Sequence, residues 1–364
     1  MIKDQKCHVV IQTAFIGDVF LSVPFLQHLK RLYPEDQIIY VAKKGVADFL
    51  LANKIIHQLV TIEKGQRSSY RSALEQLNQN NVMNLFCLHR SVRSSLFAFQ
   101  IKAKKKYGFK SNLNFLFFDK TRSYPLKYPD AIRQLSLLSL VDQEINEVIC
   151  AQDWSYLKYK NQHGEFDFIP DFFKINFKKG IYNIDFLENK LGLKNKKNKR
   201  IALFPGSVWE TKKWPTQYYT DLAKHLVQLN CEVMLMGGAD ELKLADEINA
   251  LVPQTVVVAG KLKLSESIEF MTTLDMIVCN DSSPSHLAAL IGIPVISIFG
   301  PTTLDLGFRP WSDQSYVVEN LQVDCRPCGL HGHHKCPLGH HKCMIDISVD
   351  QVFTVIKNKL PNLT

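Results

Sequence analysis

Apolar and polar positions fall into two alternating regimes along the chain. Residues 7–12 (CHVVIQ), 37–42 (QIIYVA) and 82–88 (VMNLFCL) are short, nearly continuous apolar runs. That length and composition predict strands buried on both faces. Residues 18–33 carry apolar side chains at helical spacing up to the stop at Pro34. Residues 154–177 are aromatic and irregular and carry no usable period, and residues 191–200 (LGLKNKKNKR) are polar and basic, which predicts a linker.

The alternation then restarts. A strand at 200–204 is followed by a Gly/Pro loop, a helix over 216–229, and a strand over 232–236 that ends in Gly237-Gly238. A helix runs on to Leu251, and strands follow at 255–258, 276–279 and 295–299, with helices at 265–273 and 284–291 and a final amphipathic helix at 349–359. Strands separated by helices imply parallel sheets with crossover helices. The reading is therefore α/β, with two successive open domains: residues 1–190, a linker at 191–199, a second domain at 200–345, and a C-terminal helical segment at 346–364. A cleft between two such domains, at the carboxyl ends of the strands, is the expected ligand site. No solenoid repeat is present.

Composition narrows the function classes. The 364 residues suit two domains, and 46% hydrophobic with 22% charged residues excludes disordered and collagen-like chains. No run approaches the roughly 20 apolar residues of a spanning helix. The N-terminus lacks an apolar core before a small-residue cleavage site, so a cytoplasmic location is expected. Lys+Arg 44 against Asp+Glu 35 gives 44 − 35 = +9. That excess favours an anionic partner: nucleic acid, a phosphorylated metabolite or an acidic membrane face. The basic residues are dispersed, and no nucleic-acid-binding motif is present, so nucleic acid is not expected. Of nine cysteines, Cys7, Cys87, Cys150, Cys231 and Cys279 are scattered, mostly within apolar runs, and read as small buried hydrophobes.

Three loops could carry chemistry. The first, Thr13 to Asp18, follows the first strand. Gly17 allows close backbone approach, and Asp18 falls in the first helical turn, where an Asp also serves as a cap. The second runs from Pro205-Gly206-Ser207 to Lys212-Lys213-Trp214-Pro215; a cationic pair beside a helix start suits a phosphate, or equally a solvated basic loop. The third, Asn280 to His286, puts small hydroxyl residues and free amides at a helix N-terminus.

Taken in order, "IGDVFLSVPFL", "LHRSVRSSLFAF", "FPGSVWETKKWP", "GGADE", "CNDSSPSHLAALIGIPVISIFGPT" and "CRPCGLHGHHKCPLGHHKCM" resemble the ADP-heptose:lipopolysaccharide heptosyltransferases of glycosyltransferase family 9. The Cys-rich last segment resembles the heptosyltransferase II branch. The resemblance implies a GT-B fold: two Rossmann-like domains facing across a cleft, acceptor on the first and nucleotide-sugar on the second. It implies inverting transfer of heptose from ADP-L-glycero-D-manno-heptose to the inner core of lipopolysaccharide, by an enzyme peripheral at the inner face of the inner membrane.

Position by position, the resemblance puts the general base at Asp18. It puts donor contacts at Ser207, Lys212, Asp240, Asp281, Ser282, Ser283 and His286, with Asp240 meeting the ribose; many relatives have Gly at the position of Ser283. Arg67, Arg90, Arg93 and Arg133 are acceptor candidates for acidic sugar groups. No metal or other cofactor is expected. Cys325, Cys328, Cys336 and Cys343 have ligand chemistry and a CxxC start, but the six residues between Cys336 and Cys343 are atypical spacing for zinc, so reduced thiols are expected. Competing readings are another GT-B glycosyltransferase, a sugar-nucleotide epimerase, or a non-enzymatic binder of acidic glycolipid. An oxidoreductase is disfavoured, because no G-x-G-x-x-G follows the first strand.

Overall fold

The computed structural model describes residues 5–111, 114–126, 128–151, 180–193, 198–310 and 312–360. The irregular stretch at 154–177 and residues 194–197 of the expected linker lie outside the described residues. Two compact units divide between Trp154 and Ser155.

The first unit holds β1 (Lys6–Ile11), β2 (Gln37–Lys43), β3 (Gln58–Ile62), β4 (Asn81–Cys87), β5 (Lys105–Lys110) and β6 (Lys120–Ser123). These form one parallel sheet in the order β3-β2-β1-β4-β5-β6. The second unit holds β7 (Arg200–Phe204), β8 (Glu232–Leu235), β9 (Val256–Val257), β10 (Met276–Asn280), β11 (Val295–Phe299) and β12 (Ser315–Glu319). Their parallel order is β12-β11-β10-β7-β8-β9. Counted from its own first strand, each sheet reads 3-2-1-4-5-6, the doubly wound order of Rossmann-like domains. In each, the direction of winding reverses between strands 1 and 4. The loops that leave those two strands diverge there and open a crevice at the sheet's carboxyl edge.

Burial explains which strands are legible. Every residue of β7, β10 and β11 is buried, so each reads as an apolar run. The outer strands β3, β6 and β12, and β5 next to the edge, were not expected. β6 (KTRS) is an edge strand whose lysine and polar groups suit solvent, and β5 (KKYGFK) beside it carries exposed lysines at its ends; both erase the apolar pattern.

The helix expected over 18–33 is in fact two, Ile16–Leu21 and Val23–Leu32. Pro24 has no amide to continue the first, and it sits in the opening turn of the second, where none is needed. Ser22 at the joint donates to Val19 O (2.7 Å) and pairs with the Tyr40 hydroxyl (2.7 Å). The break leaves a short helix whose N-terminal turn carries Asp18.

The division between units also falls earlier than the expected linker. Residues 180–193 are tied to the second unit. Glu269 accepts the amides of Gly180 (2.7 Å) and Ile181 (2.9 Å), Lys190 pairs with Glu266 (2.8 Å), and Glu188 pairs with Arg200 (2.6 Å). The C-terminal segment is no separate body either. Val352, Val355, Ile356 and Leu360 share one core with Ile201, Leu203, Val278 and Ile298. No described helix is long and apolar enough to cross a membrane.

Arg200 is fully buried and meets Glu188, Glu232 and Thr273. Removing one partner of a buried ion pair strands the other, so Arg200→Ala should lower the stability of the second unit by about 3–5 kcal/mol. Urea unfolding followed through that unit's tryptophans checks this; a loss below about 1 kcal/mol would mean solvent replaces the guanidinium.

Candidate active site

In the first unit, the crevice loops are those after β1 and β4. Leu88 N bonds to Ile11 O (3.0 Å), which holds the two strand ends together. Beyond them Thr13 Oγ1 lies 2.7 Å from His89 Nδ1 and 2.9 Å from Ser94 Oγ. The Asp18 carboxylate accepts the amide of Phe15 (3.0 Å), so Asp18 does serve as a helix cap. It is also a perturbed acid. Desolvation by the surrounding protein, then the negative charge of Asp130, push its carboxyl up to about 7, against the opposing pull of two backbone amides and Lys43.

Asp130 is held by its own shell. The Tyr124 hydroxyl donates to it, Gln134 Nε2 donates to Oδ2 (2.8 Å), and Arg133 Nη1 stands 3.7 Å from Oδ1. Gln134 Nε2 also reaches the backbone carbonyl of Asp18 (3.3 Å), which ties the Asp130 carboxylate to the turn that carries Asp18.

Cations ring this pair. Lys43 lies over the Phe15 ring (4.7 Å) and Arg90 over the Tyr124 ring (3.9 Å). The Lys64 ammonium is pushed below its ordinary value, first by desolvation and then by Lys43 and Arg93, while Asp18 pulls it back up. His89 is driven down to about 4 by burial and by Lys64, Lys43 and Arg90, so it is a neutral imidazole at pH 7.

Of the four expected acceptor arginines, Arg90 and Arg93 belong to this group. Arg67, exposed at the first position of the helix Arg67–Leu77, makes none of these contacts. Arg133 is a correction: it is buried, and its guanidinium engages Asp130 and the carbonyl of Leu126 (2.6 Å), so it braces the carboxylate pair and is not presented to a ligand. Lys43, Lys64, His89, Tyr124 and Asp130 were not anticipated. Only the raised charge density of "LHRSVR" hinted at them, since they come from four separate strand ends.

In the second unit, the loops after β7 and β10 are joined by one side chain. The buried Asn280 amide donates to Pro205 O (2.9 Å) and Gly206 O (3.1 Å), and its oxygen accepts Trp214 N (2.9 Å) and the Tyr219 hydroxyl (3.2 Å). The Trp214 indole donates to Ile347 O (2.8 Å). Lys212, two residues earlier, is thereby delivered to Asp281: Nζ to Oδ2 is 2.6 Å, and both side chains are buried. Thr302 donates to the same oxygen (2.5 Å).

The helix Ser283–Ile291 starts immediately beyond, with Ser282 as its N-cap residue and Ser283 at its first position. Ser282 Oγ turns back to Asn280 O (3.2 Å), and His286 is buried one turn in. Ser207 Oγ accepts Trp209 N (3.3 Å).

Two acids stand side by side on the β8 side. Asp240 is exposed, whereas Glu241 folds back over the β7 turn. A Cβ on Gly206 would lie 1.6 Å from Glu241 Oε1, and Glu241 Oε2 accepts the Gly238 amide (2.9 Å). Burial raises its carboxyl above the ordinary value. The motif "GGADE" holds both acids side by side, and only the turn Ala239–Glu241 decides which one points inward.

Residues 70–338 match the sequence profile of glycosyltransferase family 9 (heptosyltransferase). The chain belongs to that family. This family-9 chain is 26% identical, over 96% of each sequence, to the lipooligosaccharide heptosyltransferase 2 of Campylobacter jejuni. It is 21% identical to the lipopolysaccharide heptosyltransferase 2 of Escherichia coli, covering 94% of this chain and 95% of that one. Among solved structures, the E. coli ADP-heptose lipopolysaccharide heptosyltransferase II superposes with a TM-score of 0.75 at 20% identity, covering 97% and 98% of the two chains. A family 9 glycosyltransferase from Veillonella parvula gives 0.73 at 21% identity, covering 99% and 98%. The fold is thus GT-B, with two Rossmann-like α/β units, and the protein is a glycosyltransferase.

Asp130→Asn should lower the carboxyl pKa of Asp18 without returning it to the ordinary value, because desolvation is the larger cause and remains. A carbon-detected NMR titration of the side-chain carboxyls reads it directly. An unmoved Asp18 would show that the two carboxylates are electrostatically independent.

Proposed function

We propose that this glycosyltransferase moves heptose from ADP-L-glycero-D-manno-heptose to the inner core of lipopolysaccharide, at the heptosyltransferase II step, by a single inverting displacement. The observation that carries this is the Asp18 carboxyl, raised to about 7 at the carboxyl end of β1 within a ring of cations. Support comes also from near full-length similarity to enzymes named heptosyltransferase 2.

In this reading the first unit takes the acceptor. Arg90, Arg93, Lys43 and Lys64 attract its acidic groups, while Asp18 accepts the proton of the attacking hydroxyl. A base with a pKa near the working pH combines a useful ionised fraction with a strong enough proton affinity. The acceptor oxygen bonds to the anomeric carbon, the bond from that carbon to the β-phosphate oxygen breaks, and ADP leaves with the electron pair.

The second unit takes the donor. Lys212 has three N–H donors, and Asp281 engages one, which aims the ammonium and leaves the others for phosphate oxygens. The amides at the start of the helix Ser283–Ile291 add fixed positive dipole ends. Together they stabilise the charge that grows on the departing diphosphate, without a metal in this role. Asp240 is the exposed carboxylate of the turn Ala239–Glu241 and is the one assigned to a ribose, with Glu241 folded over the β7 turn beside it. Ser207 and His286 stand in the same loops as supporting contacts.

A peripheral contact with an acidic membrane fits the surface of the first unit. Val92, Leu96 and Phe99 repeat at i, i+4, i+7 on the helix Val92–Gln100 and are 56%, 44% and 55% exposed. Exposed Leu116 and the exposed lysines Lys102, Lys104 and Lys105 stand in the neighbouring segments. An apolar stripe edged with lysines is the pattern of interfacial binding.

Two variants separate chemistry from binding. Asp18→Asn should keep ADP-heptose affinity and lower turnover by about 10²–10⁴, and in the wild type kcat should rise with pH through about 7 as the base ionises. Lys212→Ala should weaken ADP binding by about 1.5–3 kcal/mol. Turnover of Asp18→Asn within threefold of wild type, on a defined truncated lipopolysaccharide acceptor, refutes the base assignment.

For the membrane contact, wild type should float with phosphatidylglycerol vesicles. Leu96→Ser combined with Phe99→Ser should float less while keeping activity on a detergent-solubilised acceptor. Equal flotation would rule this face out.

A further inference from the structure

His89 stands two residues beyond the end of β4, and nearly every polar atom it has is held. Its amide donates to Ile11 O (3.4 Å) at the end of β1, and its carbonyl accepts the Cys87 thiol (3.3 Å). In the ring, Nδ1 lies 2.7 Å from Thr13 Oγ1, 2.9 Å from Ser94 Oγ and 3.3 Å from Ser91 Oγ. Thr13 and Ser94 are buried, with their hydroxyls 2.9 Å apart. Ser91 is the N-cap residue of the helix Val92–Gln100, and its oxygen accepts the Ser94 amide (3.2 Å). The exception is Nε2, which has no hydrogen-bond partner among the described residues and stays open to solvent, since His89 is only half-buried.

The hydrogens available fix the tautomer. Ser91 Oγ donates to Ser94 Oγ (3.0 Å), which leaves the hydroxyl hydrogens of Thr13 and Ser94 for the triangle they form with Nδ1. One of them bridges the two oxygens; the other needs an acceptor, and the ring nitrogen is the one within reach. Nδ1 therefore carries the lone pair and Nε2 the proton. Burial, then Lys64, Lys43 and Arg90, keep the ring from taking a second proton at pH 7. An imidazole so held is a rigid N–H donor without charge, set among cations. The same crevice loop carries Phe15, two residues on from Thr13 and 56% exposed. Its amide is held by the Asp18 carboxylate (3.0 Å), and the Lys43 ammonium lies 4.7 Å from its ring. An apolar ring with a few placed polar groups is the make-up of a ligand pocket. A sugar presents C–H faces to the one and hydroxyl edges to the other, whereas a phosphate has no apolar face and is served by the cations alone.

We propose that His89 is a specificity-determining residue for the acceptor, its Nε2–H donating to a hydroxyl oxygen of the sugar that presents the attacking group to Asp18. This contact, which rests on the acceptor role proposed for the first unit, adds what the cations cannot supply. Lysines and arginines draw in anything acidic. A fixed neutral donor favours a sugar with an oxygen at one place, because a ligand lacking it leaves the N–H desolvated and unpaired. The anchor accounts for the residue type. Thr13 opens the loop that leads to Asp18, so its hydroxyl holds the donor in register with the base. An Asn at this position satisfies the same hydroxyls through its amide oxygen but reaches no further; an imidazole offers a second nitrogen opposite the first.

That difference is the test, on the full-length chain with the truncated lipopolysaccharide acceptor used for Asp18→Asn. His89→Asn keeps a partner for Thr13 and Ser94 and deletes the Nε2 donor. It should raise acceptor KM about tenfold, the worth of one hydrogen bond, and leave kcat, donor KM and Tm close to wild type. His89→Gln carries an amide N–H out to the place of Nε2 and gives up the anchor. It should recover much of the acceptor KM while losing a few degrees of Tm. The opposite pattern, Asn indistinguishable from wild type and Gln impaired, means that the imidazole only ties the two loops together, and it overturns the proposal. A rise of donor and acceptor KM together does the same. Long-range proton–nitrogen NMR of the wild-type imidazole needs no acceptor: Nε2 should carry the proton at pH 7, and a proton on Nδ1 instead overturns the proposal. Wild type that transfers no heptose to this acceptor refutes the heptosyl-transfer reading, and the NMR result still decides whether the donor exists.

Discussion

One buried amide organises the second unit. Asn280 has two donor and two acceptor positions, and all four are used: the two donors on consecutive carbonyls of the loop after β7, the oxygen on the Trp214 amide and the Tyr219 hydroxyl. A polar side chain this deeply buried is costly unless every position is met. When they are, the side chain permits one arrangement of its neighbours and penalises the rest. Here those neighbours are the Pro205-Gly206 turn, the Lys212 loop and the start of the helix after it. The Lys212–Asp281 pair is downstream of that constraint, and so is the Gly206–Glu241 approach.

The first unit meets the same topological problem by a softer route. Its crevice loops are joined by small hydroxyls and a neutral imidazole, Thr13, Ser94 and His89, and by the Gln134 amide that touches both Asp18 and Asp130. The electrostatics of the two units are opposed in kind. In the second, lysine and aspartate neutralise one another and are both buried, so the pair is preorganised and little screened. In the first, two carboxylates are crowded together and relieved only partly by cations around them. Desolvation, and then the charge of Asp130, raise one proton affinity into the range useful to a base, while two backbone amides and Lys43 keep the acid from rising further. Each arrangement suits the task proposed for it: fixed charge for a leaving group, a movable proton for a nucleophile.

The sequence disclosed the elements whose physics is local. Strands buried on both faces, β1, β2, β4, β7, β8, β10 and β11, announce themselves as apolar runs, and the glycine- and serine-bearing loops between them stand out. The edge strands β3, β6 and β12 do not, because half their surroundings are solvent, nor does β5 beside the edge, which is half lysine. The helix break at Ser22 was legible in principle, since Pro24 sits in the run, yet helical spacing continued through it. Arg133 was misjudged and Glu241 overlooked for a different reason. Whether a charged side chain reaches outward or folds back depends on partners distant in sequence, Asp130's shell for one and the Gly206 turn for the other. Family resemblance can identify the motif but not which of two adjacent acids turns inward. The placement of residues 180–193 was hidden likewise, because Glu188 and Glu269 are recognised as anchors only once Arg200 and the Gly180 amide are beside them.

The surplus of nine positive charges is therefore distributed to a purpose, not spread evenly. Lys212 is balanced by Asp281, Lys190 by Glu266, Lys199 by Asp275 and Arg200 by two glutamates, so much of the second unit's charge is internally compensated. Lys43, Lys64, Arg90 and Arg93 instead stand around two carboxylates, of which Asp18 has its carboxyl raised to about 7. The first unit thus carries a positive rim around its crevice. Exposed charges act over about 8–10 Å at physiological salt, so such a rim would draw in the acidic acceptor proposed for this unit before any contact forms, and salt would weaken it. The buried Lys212–Asp281 pair lacks that reach and that sensitivity. On the proposed assignment, capture of the acceptor and grip on the donor are governed by different physics within one chain.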